Sequence, residues 1–248
     1  MELLRISGLE KTYAGAKALD GLSLQLEEGR ICALLGNPGS GKTSLLRCLA
    51  GLSAPDQGEI SLLGKSGEEL YEARKDVGFL VDAPQLYGDL SIVNNMLLQS
   101  RVRGAVDKKR IGRLLRALRI APRDIGRRTA GGCPATVKMR LGIAMAFLGA
   151  PRLLLLDEVY SGLDTDDSAL LETLIREEME ERSMSLLVTG QFFNELFPFA
   201  TDYVFLDKGR IIARYTREQL QEKLPEEISK PNEYEAFYQE LRKEALQG

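Results

Sequence analysis

The chain contains no histidine among its 248 residues, so no imidazole is available to take up a proton near neutral pH. Its three cysteines, Cys32, Cys48 and Cys133, form no closely spaced pair, which leaves neither a zinc-type ligand pattern nor a disulfide framework. A reducing cytoplasm is the expected setting, with these thiols as small core or loop residues. No apolar run reaches the roughly 18 residues that a membrane span requires. The longest, residues 141–150, stops at Pro151 and Arg152. Met1-Glu2-Leu3 shows neither the basic start nor the apolar core of a secretory signal. Repeats, low-complexity tracts and flexible linkers are missing as well.

What is there suits a globule: 44% hydrophobic and 28% charged residues can build and solvate a real core. The formal charge of −3 hides an uneven distribution. Residues 101–128 carry eleven Lys or Arg against Asp107 and Asp124, whereas residues 215–248 carry five basic and eight acidic side chains. The basic stretch is expected to meet something anionic or acidic, or to be a solvated face.

Short apolar runs alternate with helical patterns, which predicts an α/β protein. Strands are expected at residues 3–7, 22–26, 31–35, 60–63, 77–81, 153–156, 186–188 and 203–206. Helices are expected at 42–50, 92–101, 108–119, 137–148 and 167–182. In the 108–119 helix Ile111, Leu114, Leu115 and Leu118 share a face, with Arg110, Arg113 and Arg116 elsewhere. The basic, helical region from about 92 to 149 lies between two strand-rich portions and is read as an inserted helical subdomain. Beyond Tyr215 the chain turns charged and helical around Pro225 and Pro231, as a docked terminal helix or a loose tail.

The segment GNPGSGKT, Gly36 to Thr43, follows the expected strand 31–35 and opens a helix. It fits G-x-x-x-x-G-K-[ST] in the context that a phosphate-binding loop requires. Its glycines let backbone N–H groups curl around phosphate oxygens, and the helix N-terminus adds a positive dipole end. Lys42 would reach the β and γ phosphates and Thr43 would ligate Mg2+, with Asn37, Pro38, Gly39, Ser40, Gly41 and Ser44 completing the cradle. A second constellation is LLLLDEVYSGLD, residues 153–164. A buried parallel strand there would carry Asp157 and Glu158 to its carboxyl end, where ligands of open α/β sheets bind. Asp157 could hold Mg2+ through water, and Glu158 could polarise an attacking water.

Together GNPGSGKT, MRLGIAMAFLGAPRLLLLDE and SGLD resemble, in order and over residues 1 to about 215, the nucleotide-binding domain of ATP-binding cassette (ABC) transporters. The resemblance implies an α/β P-loop NTPase fold: an ABC ATPase core with a mainly parallel sheet, an antiparallel β subdomain and the helical subdomain near 92–149. The core would take residues 1–215 and a charged helical tail residues 216–248. VGFLVDAPQLYGDLS is similar to the stand-alone ATPase subunits of bacterial export systems for drugs or antimicrobial peptides. Carried onto this chain, the resemblance makes Tyr13 an aromatic that stacks on adenine, and makes Ser161, Gly162, Leu163 and Asp164 the loop that meets the other subunit. The local alternative for Asp164 or Thr165 is a helix N-cap.

Three positions depart from the family pattern. Gln191 stands where the family has its switch histidine; its amide can donate and accept as a neutral imidazole does, but cannot take a positive charge. Asp82 stands where a glutamine usually senses Mg2+, a carboxylate that can itself meet a metal, with Gln85 nearby as a substitute. The signature Leu-Ser-Gly-Gly-Gln falls, without gaps, on Cys133-Pro134-Ala135-Thr136-Val137, where Pro134 removes a hydroxyl and an N–H. In a second register it falls on Thr129 to Cys133.

These readings lead to the expectation of an ATP-binding subunit, cytoplasmic and peripheral on the inner face of the membrane. It would bind ATP with Mg2+ tightly, hydrolyse it slowly through Glu158 and Gln191, and work with a transmembrane permease and a second ABC ATPase in a homo- or heterodimer. Nucleic acid is not an expected partner, because long coiled-coil insertions, metal-ligand cysteine pairs and a second cassette are all missing. A regulator with little turnover and a nucleic-acid-associated ATPase remain the alternatives.

Overall fold

The computed structural model describes residues 1–104, 106–121, 125, 129–191, 196, 199–224 and 231–247. The FFNE stretch after Gln191 and the tail around Pro225 lie outside the described residues. Strands β1 (Glu2–Tyr13), β2 (Ala16–Glu27), β4 (Gln57–Leu62) and β5 (Lys65–Ser66) flank β3 (Ile31–Leu35) in sequence, and the remaining strands are β6 (Val77–Leu80), β7 (Leu153–Leu156), β8 (Ser185–Gly190), β9 (Asp202–Asp207) and β10 (Arg210–Thr216). One sheet is antiparallel in the order β2-β1-β4-β5. The other runs β10-β9-β3-β8-β7-β6 and is parallel except for the β9–β10 hairpin.

The helices are α1 (Lys42–Ala50), α2 (Leu70–Ala73), α3 (Ile92–Val102), α4 (Lys108–Ala117), α5 (Ala135–Phe147), α6 (Thr165–Arg182), α7 (Arg217–Lys223) and α8 (Pro231–Gln247). Two hydrophobic cores lie on the two faces of the parallel sheet. Leu153 and Leu155 join α1 residues Leu45, Leu46 and Leu49 and the antiparallel sheet in one core, while Leu154 and Leu156 join α5, α6 and α8 in the other. Burial on both faces is why β7 reads as an unbroken leucine run instead of an alternation. Local chemistry starts the helices: Ser91, Asp107, Asp164 and Thr216 each accept a backbone N–H as the N-cap of α3, α4, α6 and α7. Asp164 thus serves as the cap that its position suggested.

Several elements run past their expected ends. Ala14 and Gly15, both at positive φ, make a tight turn that pairs Tyr13 with Ala16, so Tyr13 ends β1. Strand β10 escaped the sequence reading because its half-buried edge shows no period-2 alternation.

Two arginines of the basic stretch meet acidic partners inside the chain. Arg110 of α4 is buried and forks onto Glu178 of α6 at 2.7 and 2.8 Å, and also donates to the Phe147 carbonyl at 2.7 Å. Arg113 bridges to Glu181 at 2.8 Å and to Glu177 at 3.2 Å. Breaking a buried pair leaves one charge stranded, so Arg110→Ala should cost about 3–5 kcal/mol of unfolding free energy in urea titrations. The more exposed Arg113→Ala should cost less than about 1 kcal/mol.

Cys32 is buried in β3, and burial pushes its thiol up to about 12. Its thiolate fraction at pH 8 is then on the order of 10⁻⁴. Iodoacetamide at that pH should modify Cys32 only after unfolding; rapid labelling of the folded chain, read by mass spectrometry, would contradict the packing of β3.

Candidate functional site

The loop between β3 and α1 is shaped by neighbours that leave no room for side chains. A Cβ on Gly36 would stand 2.3 Å from the Leu206 carbonyl oxygen, and one on Gly41 would stand 2.4 Å from that of Ala18. Gly41 also sits at φ 112° as the N-cap of α1 and offers no side-chain cap, so the first N–H groups of α1 have no partner from a capping side chain. The Gly209 amide donates to the Ser40 carbonyl at 2.8 Å, tying the loop to the β9–β10 turn. Buried in this loop, the Ser40 hydroxyl has no hydrogen-bond partner among the described residues. Asn37 is half-buried, and Pro38 and Gly39 are exposed. An uncapped helix start, exposed loop residues and an unsatisfied hydroxyl fit a phosphate chain in the cradle.

Lys42 begins α1 and is almost wholly buried. Its ammonium donates to the Gly36 carbonyl at 2.6 Å and the Asn37 carbonyl at 3.3 Å, and lies 3.2 Å from Glu158 Oε1. Thr43 and Ser44 follow on the first turn of α1, both half-buried.

Strand β7 delivers Asp157 and Glu158 to its carboxyl end, next to the end of β8. Thr189 of β8, fully buried, joins them: its hydroxyl donates to Asp157 Oδ1 at 2.7 Å and accepts the Glu158 N–H at 2.9 Å. Glu158 adopts φ 44°, ψ 32°, a left-handed conformation that costs energy for a side chain other than glycine. The Gln191 amide, one residue beyond β8, donates to Glu158 Oε2 at 2.9 Å. The carboxylate is therefore held between Lys42 and Gln191. Thr189 lies one residue past the expected strand 186–188 and carries no local motif; β8 extends to Gly190, and its parallel register with β7 brings the Thr189 hydroxyl to Asp157.

Asp82 is placed differently. It sits at φ 60° just past β6, and Arg47 of α1 takes both of its oxygens, at 2.8 and 3.1 Å. That pairing with Asp82, with Tyr13 and Asp157 as lesser contributors, raises the Arg47 guanidinium above its usual range. Gln85 is exposed and donates to the Ala83 carbonyl. Tyr13 is partly exposed, with its hydroxyl 3.2 Å from Ser53 Oγ and Lys11 Nζ 5.4 Å from its ring centroid.

Near the signature position, α5 starts at Ala135 with Pro134 as an N-cap that offers no side-chain bond. The preceding residues form a short 3-10 turn, Ala130–Gly132, whose Ala130 and Gly131 amides donate to the Leu90 and Gly88 carbonyls. Ser161 caps its own turn by donating to the Glu158 carbonyl at 2.7 Å.

A profile described as ABC transporter matches residues 19–161. The chain is 29% identical over 239 residues to an uncharacterized ABC transporter ATP-binding protein, YcbN, of Bacillus subtilis (strain 168), covering 95% of this chain and 77% of that one. It is 28% identical to the bacitracin transport ATP-binding protein BcrA of Bacillus licheniformis, over 85% of this chain and 68% of that protein. It is also 29% identical to a probable sulfate/thiosulfate import ATP-binding protein, CysA, of Chlorella vulgaris, over 84% and 88% of the two chains. Among solved structures, an ATP-binding subunit of an ABC transporter superposes with a TM-score of 0.79 at 24% identity, over 89% of this chain and 92% of that one. A dimeric post-hydrolysis cassette bound to ADP and Pi superposes with a TM-score of 0.80 at 22% identity, over 87% and 99%. With the family profile spanning more than half of its length, the chain belongs to the ABC transporter family, as an ATP-binding, ATP-hydrolysing subunit.

Proposed function

We propose that this subunit grips Mg·ATP tightly, hydrolyses it slowly, and drives export through a separate permease. The observation that carries this reading is the convergence of Lys42, Asp157, Glu158, Thr189 and Gln191 at the carboxyl ends of β7 and β8 beside the phosphate loop. The loop amides, Ser40 and Lys42 would bind the phosphates, and Tyr13 would stack on the base. Thr43 and Asp157 offer a hydroxyl and a carboxylate, a hard-oxygen pair suited to Mg2+, which takes few protein ligands and fills the rest of its shell with water and phosphate. Bound there, Mg2+ would neutralise charge on the β and γ phosphate oxygens. Thr189 engages Asp157 Oδ1 and so orients the carboxylate. Asp82, whose two oxygens are both engaged by Arg47, is less available to a metal than Asp157.

Glu158 is the group to accept the proton of the attacking water, as the bond from the γ phosphorus to the bridging oxygen breaks and ADP leaves. Gln191 supports that role by donating to Glu158, but it remains neutral as charge develops. The degenerate signature is the second reason for slow turnover. We place it in the ungapped register, at the start of α5, because the Ala130 and Gly131 amides of the other register are already used by Leu90 and Gly88. A partner cassette with an intact signature would complete the Walker-type site of this chain, with residues 161–164 at the shared surface.

Among the described residues no helix is long and apolar enough to cross a membrane, which is why a separate permease is invoked and the chain is placed on the inner face of the cell membrane. We keep residues 1–215 as the ATPase domain, residues 92–149 as the helical part that meets the permease, and residues 216–248 as its C-terminal extension. The export direction rests on the stretch VGFLVDAPQLYGDLS and on the relative named for bacitracin transport. Nucleic-acid binding is disfavoured by the internal pairing of Arg110 and Arg113.

Calorimetry and steady-state turnover test this reading together. Mg·ATP should bind, and the purified chain alone should turn over below about 1 s⁻¹, the low end of enzyme rates. Glu158→Gln should keep binding while abolishing turnover, and Gln191→His should raise turnover, by as much as about 10²- to 10³-fold. Vigorous hydrolysis by the unaided chain would reject slow turnover; magnesium-independent or missing ATP binding would reject the site.

Thr189→Val removes a hydroxyl at constant volume and leaves the Glu158 N–H and one Asp157 oxygen unpaired. It should lower unfolding free energy by about 1–3 kcal/mol and weaken the magnesium dependence of ATP binding. A variant with both properties unchanged would show that Thr189 does not organise the carboxylates.

A further inference from the structure

Tyr238, on α8, is fully buried. Its hydroxyl donates to the Leu206 carbonyl at 2.6 Å and accepts the Asn37 N–H at 3.4 Å. Asn37 is the second residue of the phosphate loop, and its N–H belongs to the same planar peptide unit as the Gly36 carbonyl. That carbonyl accepts the Lys42 ammonium at 2.6 Å. One rigid plane therefore connects a tyrosine far along the chain with the lysine expected to hold the β and γ phosphates.

The helix is well seated. Arg242 bonds Asp207 at 2.9 Å, Phe237 packs edge-on against Phe205 with centroids 5.7 Å apart, and Leu241 is buried in the same core. Burial pushes the Tyr238 hydroxyl above its usual range, with the Asn37 N–H acting in the opposite direction; it remains a protonated donor to Leu206. Its ring alone would satisfy the packing, so the oxygen is what distinguishes Tyr238 from a phenylalanine. Without it, the half-buried Asn37 N–H and the buried Leu206 carbonyl would both lose a partner.

We propose that Tyr238 is a positioning residue for the phosphate loop: its hydroxyl fixes the Gly36–Asn37 peptide plane, and through the Gly36 carbonyl the Lys42 ammonium, so that nucleotide affinity depends on that hydroxyl more than on the packing of the C-terminal helix. This rests on the nucleotide reading of the loop given above. The helix thereby becomes part of the nucleotide site without touching the nucleotide.

Calorimetric titration with Mg·ATP, alongside thermal melts without nucleotide, tests it on the full chain. Tyr238→Phe should raise Kd about tenfold, equivalent to about 1.4 kcal/mol. Leu241→Ala, which loosens the same helix without removing the hydroxyl, should change Kd less than about threefold while lowering the melting temperature more. An unchanged Kd in Tyr238→Phe overturns the proposal, and so does an equal loss of affinity in both variants, which would reduce α8 to general packing. Failure of the unaltered chain to bind Mg·ATP is a separate result: it removes the nucleotide reading itself and this proposal with it. Should Tyr238→Phe fail to fold, hydrogen exchange of the unaltered chain decides. A protected Asn37 amide supports the proposal, and exchange as fast as that of exposed loop amides overturns it.

Discussion

The contact on which the nucleotide end of the molecule depends is the approach of the Leu206 carbonyl to Gly36. An oxygen 2.3 Å from where a Cβ would stand allows only glycine, and it sets how the chain leaves β3. From there the course of the loop is fixed by its surroundings more than by its own sequence: the Gly209 amide takes the Ser40 carbonyl, and the Ala18 carbonyl crowds Gly41. Strands β2, β9 and β10 thus build the mould, and the loop is cast in it. The helix that follows opens with free N–H groups because the residue before it is a glycine in a left-handed conformation, with no side chain to cap them.

The fold was largely legible where burial is extreme. The leucine run of β7 and the apolar β3 have only one good reading, as strands covered on both faces, and α1 and β7 end where the sequence says they should. Legibility fails at edges and turns. Strand β10 is half-buried without alternation, and the β1–β2 hairpin extends over polar residues because cross-strand pairing, not hydrophobic pattern, holds them. At the candidate site, Lys42, Asp157 and Glu158 stand out in the sequence because local motifs mark them, and the structure brings them together. Thr189, Arg47 and Tyr238 could not, since each acquires its partner through a contact between residues 32, 35 and 201 positions apart in sequence.

Charge followed the same rule. Eleven basic residues in one stretch look like a surface for an anionic partner until α6 is seen to present Glu177, Glu178 and Glu181 to Arg110 and Arg113. A buried pair of this kind is a poor source of stability against an apolar alternative, but it is unforgiving of separation: pulling α4 from α6 would expose two charges to each other's loss. The two helices are consequently tied to each other at Arg110 and Arg113.

Helix α6 also reaches the candidate site. Helix α6 begins at the Asp164 cap, six residues after Glu158, and the turn between them is closed by the Ser161 hydroxyl on the Glu158 carbonyl. Its 18 residues make a rod of about 27 Å, with the Glu158 carboxylate near one end and the Arg110 fork near the other. Glu158 is also held in a conformation that its own side chain disfavours, kept there by Thr189, Gln191 and Lys42. A displacement of α6 against the parallel sheet would therefore reach the Glu158 backbone through this short turn before it reached the phosphate loop.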